Sequence, residues 1–461
     1  MIKKILIGLI CIAFFSCDEK EKTTASSTWI GGEIVNPKLD YVILSKWNRI
    51  IDTIPINENN FFLYQNDTLP AGLYSFRHNE YQTIFIEPGD SLMLRVNTLA
   101  FDESLSFSGI GGEKNNLLME FFLMNEAEDE WLQQNYDLSP KAYLQKADSL
   151  RKLKERIYKD FRKNYTISEA FKDIATANIV YDDYTKTEKY ASVKLMRDTL
   201  ENFPKEFFNY RDEVTLTEVP YKFYYPYYQF VDQYLNNLAY KNGTNYDYLS
   251  YGQTYRKIKL IDSLISDEEL KNNLLRRTTT KYLLNATNVE EERQIEQLFY
   301  SVNTNPDYEQ QIDELTDAII RLNPGNAIPN VQVVSTDNVV RNLHDVIKKP
   351  TVLYFWSGQY IGHYRDIHNR AAELHSKYPE YDFIAINTDS HFKKWRKMVI
   401  ENGFTKKYEY QLENRSEAEK KLVINSLSKA IIVDKNAKIL EGNAGILSNP
   451  NIEAVLLGHL N

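Results

Sequence analysis

Across residues 28–112 the apolar positions fall in short runs broken by turn residues. The runs 29–35, 41–44, 50–56, 61–65, 72–77, 81–87 and 91–96 are rich in β-branched and aromatic side chains. Asn36-Pro37, Asn57 to Asn60, Pro70-Ala71-Gly72 and Pro88-Gly89-Asp90 separate them, the composition of turns. Strands at this spacing predict an antiparallel β-sandwich or barrel over 29–112. From 113 to 321 the period becomes helical. Leu117, Leu118, Phe121 and Phe122 open one apolar face, and 141–163 keeps i, i+3, i+4 spacing. Proline and glycine are sparse there, which favours several helices, and no repeat of fixed period supports a solenoid. Over 324–461 strands alternate with helices: apolar β-rich runs at 351–356, 382–387 and 430–434, helical patterns at 364–378 and 392–402. The predicted fold class is therefore multidomain α+β, with an N-terminal antiparallel β-sandwich, a helical middle and a C-terminal α/β domain.

The extreme N-terminus reads differently. Lys3 and Lys4 precede an apolar stretch from Ile5 to Phe15. As a helix that stretch spans roughly 16 Å, about half of the ~30 Å hydrocarbon core, so it predicts a secretory leader over 1–16 and not a membrane span. Its end, Phe14-Phe15-Ser16-Cys17, resembles a bacterial lipobox. The resemblance implies that Cys17 is lipidated, becomes the new N-terminus and holds the protein to a membrane through its acyl chains. Residues 17–28 then form a lipidated tether, polar, small and charged. The charged run after the cysteine resembles the sorting signals of Bacteroidota-type lipoproteins, implying the outer membrane, on its periplasmic or its surface side.

Cysteine usage sharpens this. The 461 residues contain two cysteines, Cys11 and Cys17. Cys11 leaves with the leader and lipidation consumes Cys17, so the mature chain holds no free thiol and no disulfide. Net charge is −9, and losing Lys3 and Lys4 takes it to about −11. An acidic chain without a basic block argues against nucleic acid as a partner.

Tyrosine is abundant, and 221–230 is the densest aromatic run. Tyr221, Tyr224, Tyr225, Tyr227 and Tyr228 allow two readings: a platform for a sugar or peptide, or a core between helices. Trp356 joins them as a candidate contact residue. His363, His368 and His375 sit at offsets of five and seven, which puts only the last two on one helical face, about 10 Å apart, too far for one ion. No metal site and no cofactor is expected, and no glycine-rich phosphate loop is present.

Four motifs in order resemble the TlpA-type thioredoxin-like family: Gly325-Asn-Ala-Ile-Pro329, Val352-Leu-Tyr-Phe-Trp356, Asp389 with Trp395, and Ile432-Val-Asp-Lys-Asn436. The resemblance covers 324–461 and implies a thioredoxin-like fold there. The departures fall on the chemistry. Where the family carries Cys-x-x-Cys at the start of a helix, this chain has Tyr360 and His363. Where it carries a cis-proline before the late strand, the chain has Ser428, which implies a trans, reshaped loop. The hairpin glycine appears as Ala437. Disulfide exchange needs an attacking thiolate and a resolving thiol, so these degenerate positions predict a redox-inactive domain that binds or scaffolds an envelope protein or peptide, with no catalytic residue. The alternatives are an oxidoreductase of the family, or an enzyme of another class working through Tyr360 and His363.

Overall fold

A computed structural model describes residues 27–458, apart from 48, 79, 198–202, 215, 217–218, 242–244, 287, 359, 390 and 447–451. The expected leader, Cys17 and nearly all of the tether lie outside the described residues. The chain divides into two compact units, Met1–Tyr234 and Leu235–Asn461.

In the first unit the alternating runs become strands β1 (Thr28–Val35), β2 (Tyr41–Lys46), β3 (Arg49–Pro55), β4 (Phe61–Asn66), β5 (Gly72–His78), β6 (Glu80–Ile86), β7 (Ser91–Asn97) and β8 (Ser106–Ser108). They build two four-stranded sheets, β4-β1-β7-β8 and β3-β2-β5-β6. The inward residues of one, such as Ile30, Ile34, Leu92 and Leu94, share a core with Val42, Leu44, Tyr74, Phe76 and Ile84 of the other, which makes a sandwich. One pairing departs from the antiparallel expectation: β1 and β7 run parallel, Gly32 opposite Leu94. Gly32 permits this approach, because its φ is 154° and a Cβ there would lie 1.9 Å from the Leu94 carbonyl oxygen.

A short helix α1 (Phe101–Ser104) leads to α2 (Gly112–Gln134), α3 (Pro140–Asn164), α4 (Glu169–Met196) and α5 (Tyr225–Leu238). Ser139 starts α3 by accepting a bond from Ala142 N, with Pro140 in the first turn where no N–H is needed. Ser168 caps α4 in the same way. Between these helices Lys154, 1% exposed, donates to Asn125 Oδ1 (2.5 Å), Glu128 Oε2 (2.7 Å) and Asp182 Oδ2 (2.8 Å). Helix α5 straddles the division at Tyr234, so the helices of 113–321 are shared between the two units.

The second unit continues with α6 (Tyr251–Leu264), α7 (Glu268–Leu283), α8 (Val289–Val302) and α9 (Pro306–Arg321). Then come β9 (Gln332–Ser335), β10 (Val340–Asn342), α10 (Leu343–Val346), β11 (Thr351–Trp356), α11 (Ile361–Lys377), β12 (Asp382–Asn387), α12 (Phe392–Glu401), β13 (Glu409–Leu412), α13 (Arg415–Lys421), β14 (Lys429–Val433), β15 (Ile439–Gly445) and α14 (Ile452–Gly458). The strands form one sheet, β10-β9-β13-β12-β11-β14-β15, in which β11, β12 and β13 are parallel and the other pairs antiparallel. One face packs Leu353, Phe355, Ile384 and Ile386 against α9 and α13. The other packs Val352, Tyr354, Trp356 and Phe383 against α11, α12 and α14. Burial on both faces is why these strands read as continuous apolar runs. The multidomain α/β architecture, with sandwich, helical middle and C-terminal sheet domain, is as expected. No helix among the described residues is long and apolar enough to cross a membrane.

Candidate functional site at the end of β11

Strand β11 runs out of the core at Trp356, and the chain turns through Ser357 and Gly358 into α11. Asp389, in the loop after β12, pins that turn: it accepts from Ser357 Oγ (2.5 Å) and from Gly358 N (2.7 Å). Asn387 Nδ2 reaches the same carboxylate at 3.1 Å, and Gln411 Nε2 holds the Asp389 carbonyl at 2.7 Å. A Cβ at Gly358 would lie 2.5 Å from Met398 Sδ, so a side chain there would require the flexible methionine tip to move. Trp395, the other mid-domain motif residue, is buried in the sheet's helical layer.

Tyr360 is the N-cap of α11 and its side chain makes no capping bond. It is 58% exposed. His363 stands in the first turn. Neither of its ring nitrogens has a hydrogen-bond partner among the described residues, although both atoms are shielded from solvent. Burial holds its pKa below the ordinary histidine value, Asp366 opposing and His368 adding to the shift. No hydrogen bond joins Tyr360 to His363 among the described residues.

Ser428 lies at the same end of the sheet. The β11–β14 register sets Tyr354 opposite Ala430, which carries Ser428 alongside Trp356. Its N–H donates to Ser426 Oγ (3.1 Å) and its carbonyl accepts from Ile446 N (3.1 Å). The peptide bond before it is trans, as are all those among the described residues. The fold thus brings Tyr360, His363 and Ser428 to one end of the sheet.

Beneath them lies a constellation the sequence reading did not find. His368, on the inner face of α11, faces Tyr364 O through Nδ1 (2.6 Å) and Glu409 Oε1 through Nε2 (3.0 Å). Its ring stacks on Phe404 at 3.7 Å and meets the Trp356 ring edge-on at 5.0 Å. Burial pushes the Glu409 carboxyl above the usual carboxylate range, with His368 and Trp356 favouring the ionised form. The indole stops short of a hydrogen bond: Trp356 Nε1 and Glu409 Oε2 are both buried without a partner among the described residues. A carbonyl facing Nδ1 favours the hydrogen on that nitrogen, which turns Nε2 to the Glu409 carboxyl. The signal in the sequence was a glutamate opening an apolar segment, but its partner is 41 residues away and only the β12–β13 pairing, Ala385 opposite Glu409, brings it in.

The aromatic run needs correction as a contact surface. Tyr227 is fully buried, Tyr224 and Tyr228 nearly so, and Tyr221 half-buried. The period of α5 explains it: 224, 227, 228 and 231 share one inward face, and Tyr181 packs on Tyr227 at 4.8 Å and on Phe230 at 5.4 Å. Tyr225 alone of the five is well exposed, at 54%. Trp356 is fully buried too, forming the site's floor and not its surface. Among the described residues no three histidine, aspartate or glutamate side chains gather as metal ligands would.

Residues 348–439 match the thioredoxin-like family, so the second unit carries a thioredoxin-like domain. No curated protein matches the chain. Among solved structures, it resembles a thioredoxin-like protein from Bacteroides caccae at 15% identity, over 59% of this chain and 94% of that one, with a TM-score of 0.35. It also resembles the thioredoxin domain of a thiol-disulfide oxidoreductase from Bacteroides vulgatus (16% identity, 30% of this chain, 99% of that one, TM-score 0.25). A thiol:disulfide interchange protein from Bacteroides sp. is similar over 26% of this chain and 80% of that one, at 16% identity and a TM-score of 0.23.

Proposed function

We propose that this chain is an exported, lipid-anchored envelope protein whose thioredoxin-like domain has given up disulfide exchange and serves as a binding module for an envelope protein or peptide. The observation that carries the reading is the occupancy of the helix start: an exposed phenol at position 360 and a neutral-leaning imidazole at 363 stand where the resemblance places sulfurs, and no cysteine follows Cys17. Tyr360 offers an exposed ring to stack against, while the ring nitrogens of His363 are shielded from solvent and have no partner among the described residues. Ser428 supports a changed mode of contact, since its own N–H and carbonyl are already used within the fold. The leader and Cys17 support export and anchoring.

An insulin-reduction assay with dithiothreitol tests the loss of redox chemistry. The wild-type chain should give the rate of the buffer alone; a rate above it overturns the reading. Binding is tested by a photo-crosslinking residue at position 360 in intact cells. A discrete adduct, lost when His363→Trp fills the site, is expected; no adduct, or one indifferent to His363→Trp, counts against a module that works here.

A further inference from the structure

Between α2, α3 and α4 lies a buried group of side chains that the site at β11 does not use. Lys154 of α3 is almost wholly buried, and its Nζ donates to Asn125 Oδ1 (2.5 Å) and Glu128 Oε2 (2.7 Å) of α2 and to Asp182 Oδ2 (2.8 Å) of α4. Asn125 and Glu128 stand three apart on one helix, so they share a face and reach the same nitrogen. The carboxamide is steadied from behind: Asn125 Nδ2 donates to Asn178 Oδ1 (3.2 Å), and Asn178 Nδ2 to Tyr224 Oη (2.6 Å). An amine, an amide carbon and a carboxyl group that touches the amine are the parts that amide exchange between side chains requires.

Two observations separate this group from a settled ion pair. The first is Glu128 Oε1, which is buried and has no hydrogen-bond partner among the described residues. An ionised oxygen shut away in that state lacks a bond, whereas a protonated one becomes a donor. The second is the division of charge. Lys186 also contacts both acids, Asp182 and, at 3.2 Å, Glu128 Oε2. Burial works against it, yet Lys186 and then Lys154 hold the Asp182 carboxyl below its usual range. Asp182 therefore stays ionised against Lys186, and Glu128 is the acid left to take a proton from Lys154.

With Nζ 2.5 Å from Oδ1, an ordinary carbonyl angle leaves it roughly 3–3.5 Å from Cγ, the separation of a near-attack pair. We propose that Lys154 and Asn125 become joined by an isopeptide bond, with Glu128 carrying the protons. Lys154 passes one proton to Glu128, and the neutral amine attacks Asn125 Cγ. The Nζ–Cγ bond forms and the Cγ–Nδ2 bond breaks. A second Nζ proton reaches the departing nitrogen through Glu128, and ammonia leaves. Nothing is oxidised or reduced. Glu128 ends as a neutral acid and Lys186 stays paired with Asp182, so the charges of Lys154, Lys186, Glu128 and Asp182 sum to zero before and after. Asn125 is half-buried on the wall of a cavity, which gives the ammonia a way out. The bond ties α2 to α3 in a chain with no cysteine after Cys17.

Peptide mass spectrometry on the folded full chain tests it. Trypsin should release a branched peptide joining 115–141 to 153–156, about 17 Da lighter than the two together, the mass of one ammonia. Asn125→Ala and Lys154→Arg should abolish the branch, and Glu128→Ala should cut its yield at least tenfold while keeping the wild-type circular dichroism. The wild type decides the bond by itself: peptides 115–141 and 153–154 recovered separately overturn the proposal even where a variant fails to fold. So does an Asn125 about 1 Da heavier without the branch, since water has then attacked in place of the amine. A branch of undiminished yield in Glu128→Ala overturns the proton path.

Discussion

Lys429 shows what single residues near the site are asked to do. It follows Ser428 and is 5% exposed, with Nζ on the carbonyls of Leu422 and Val423 at 2.9 Å each. Those carbonyls end α13, and Val423 stands at φ 48°, a left-handed conformation that is costly for a β-branched residue. Burial lowers the lysine pKa to about 8. The folded chain therefore sheds this proton more readily than the unfolded one, and between pH 8 and about 10.5 the unfolded state holds more protons. Stability should rise with pH across that window, by at most about 3 kcal/mol. Urea unfolding from pH 7 to 10.5 checks it: the wild type should gain on Lys429→Met as pH rises, and a constant difference between them would count against a strained ammonium. Ala437 is a milder case of the same compromise. Its φ of 60° costs about 1 kcal/mol, partly offset by a methyl buried in the core under β14.

At the scale of elements, strands buried on both faces were the most legible. The runs 351–356 and 382–387 match β11 and β12 to the residue, because nothing polar interrupts them. Strand β13 escaped for the opposite reason: Glu409 and Gln411 break its apolar pattern, and both are there to serve the site, one holding His368 and the other Asp389. Polar residues inside a buried strand erase its signature while marking its use. The edge strands β9 and β10 are short and were missed as well. Tyr360, His363 and Ser428 were reachable by counting along motifs, whereas the His368–Glu409 pair exists only once the sheet is assembled. That pair should matter through α11. Glu409→Ala leaves His368 Nε2 buried without a partner and should cost about 1–3 kcal/mol in urea unfolding, while Glu409→Gln keeps a carboxamide that can pair with Nε2 and should cost clearly less. Equal losses would mean that the pair contributes packing alone.

For the whole molecule, length and periodicity anticipated the sandwich, the helices and the sheet domain, but not the division near residue 234. Helical periodicity continues on both sides of that point and carries no mark of which helices pack with which sheet. The export reading is tested at the same scale. Under the lipid-anchor reading, Cys17→Ser should move the protein from the detergent phase to the aqueous phase on Triton X-114 partition, and a wild-type chain found in the aqueous phase would remove the anchor.

The position of β1 has a mechanical consequence. It is an interior strand, hydrogen-bonded to β4 on one side and to β7 on the other. A pull along the axis of β1 would load both ladders in shear at once. An edge strand would peel away one bond at a time. Under the proposed anchor, the load would enter the sandwich through an interior strand and not through an edge.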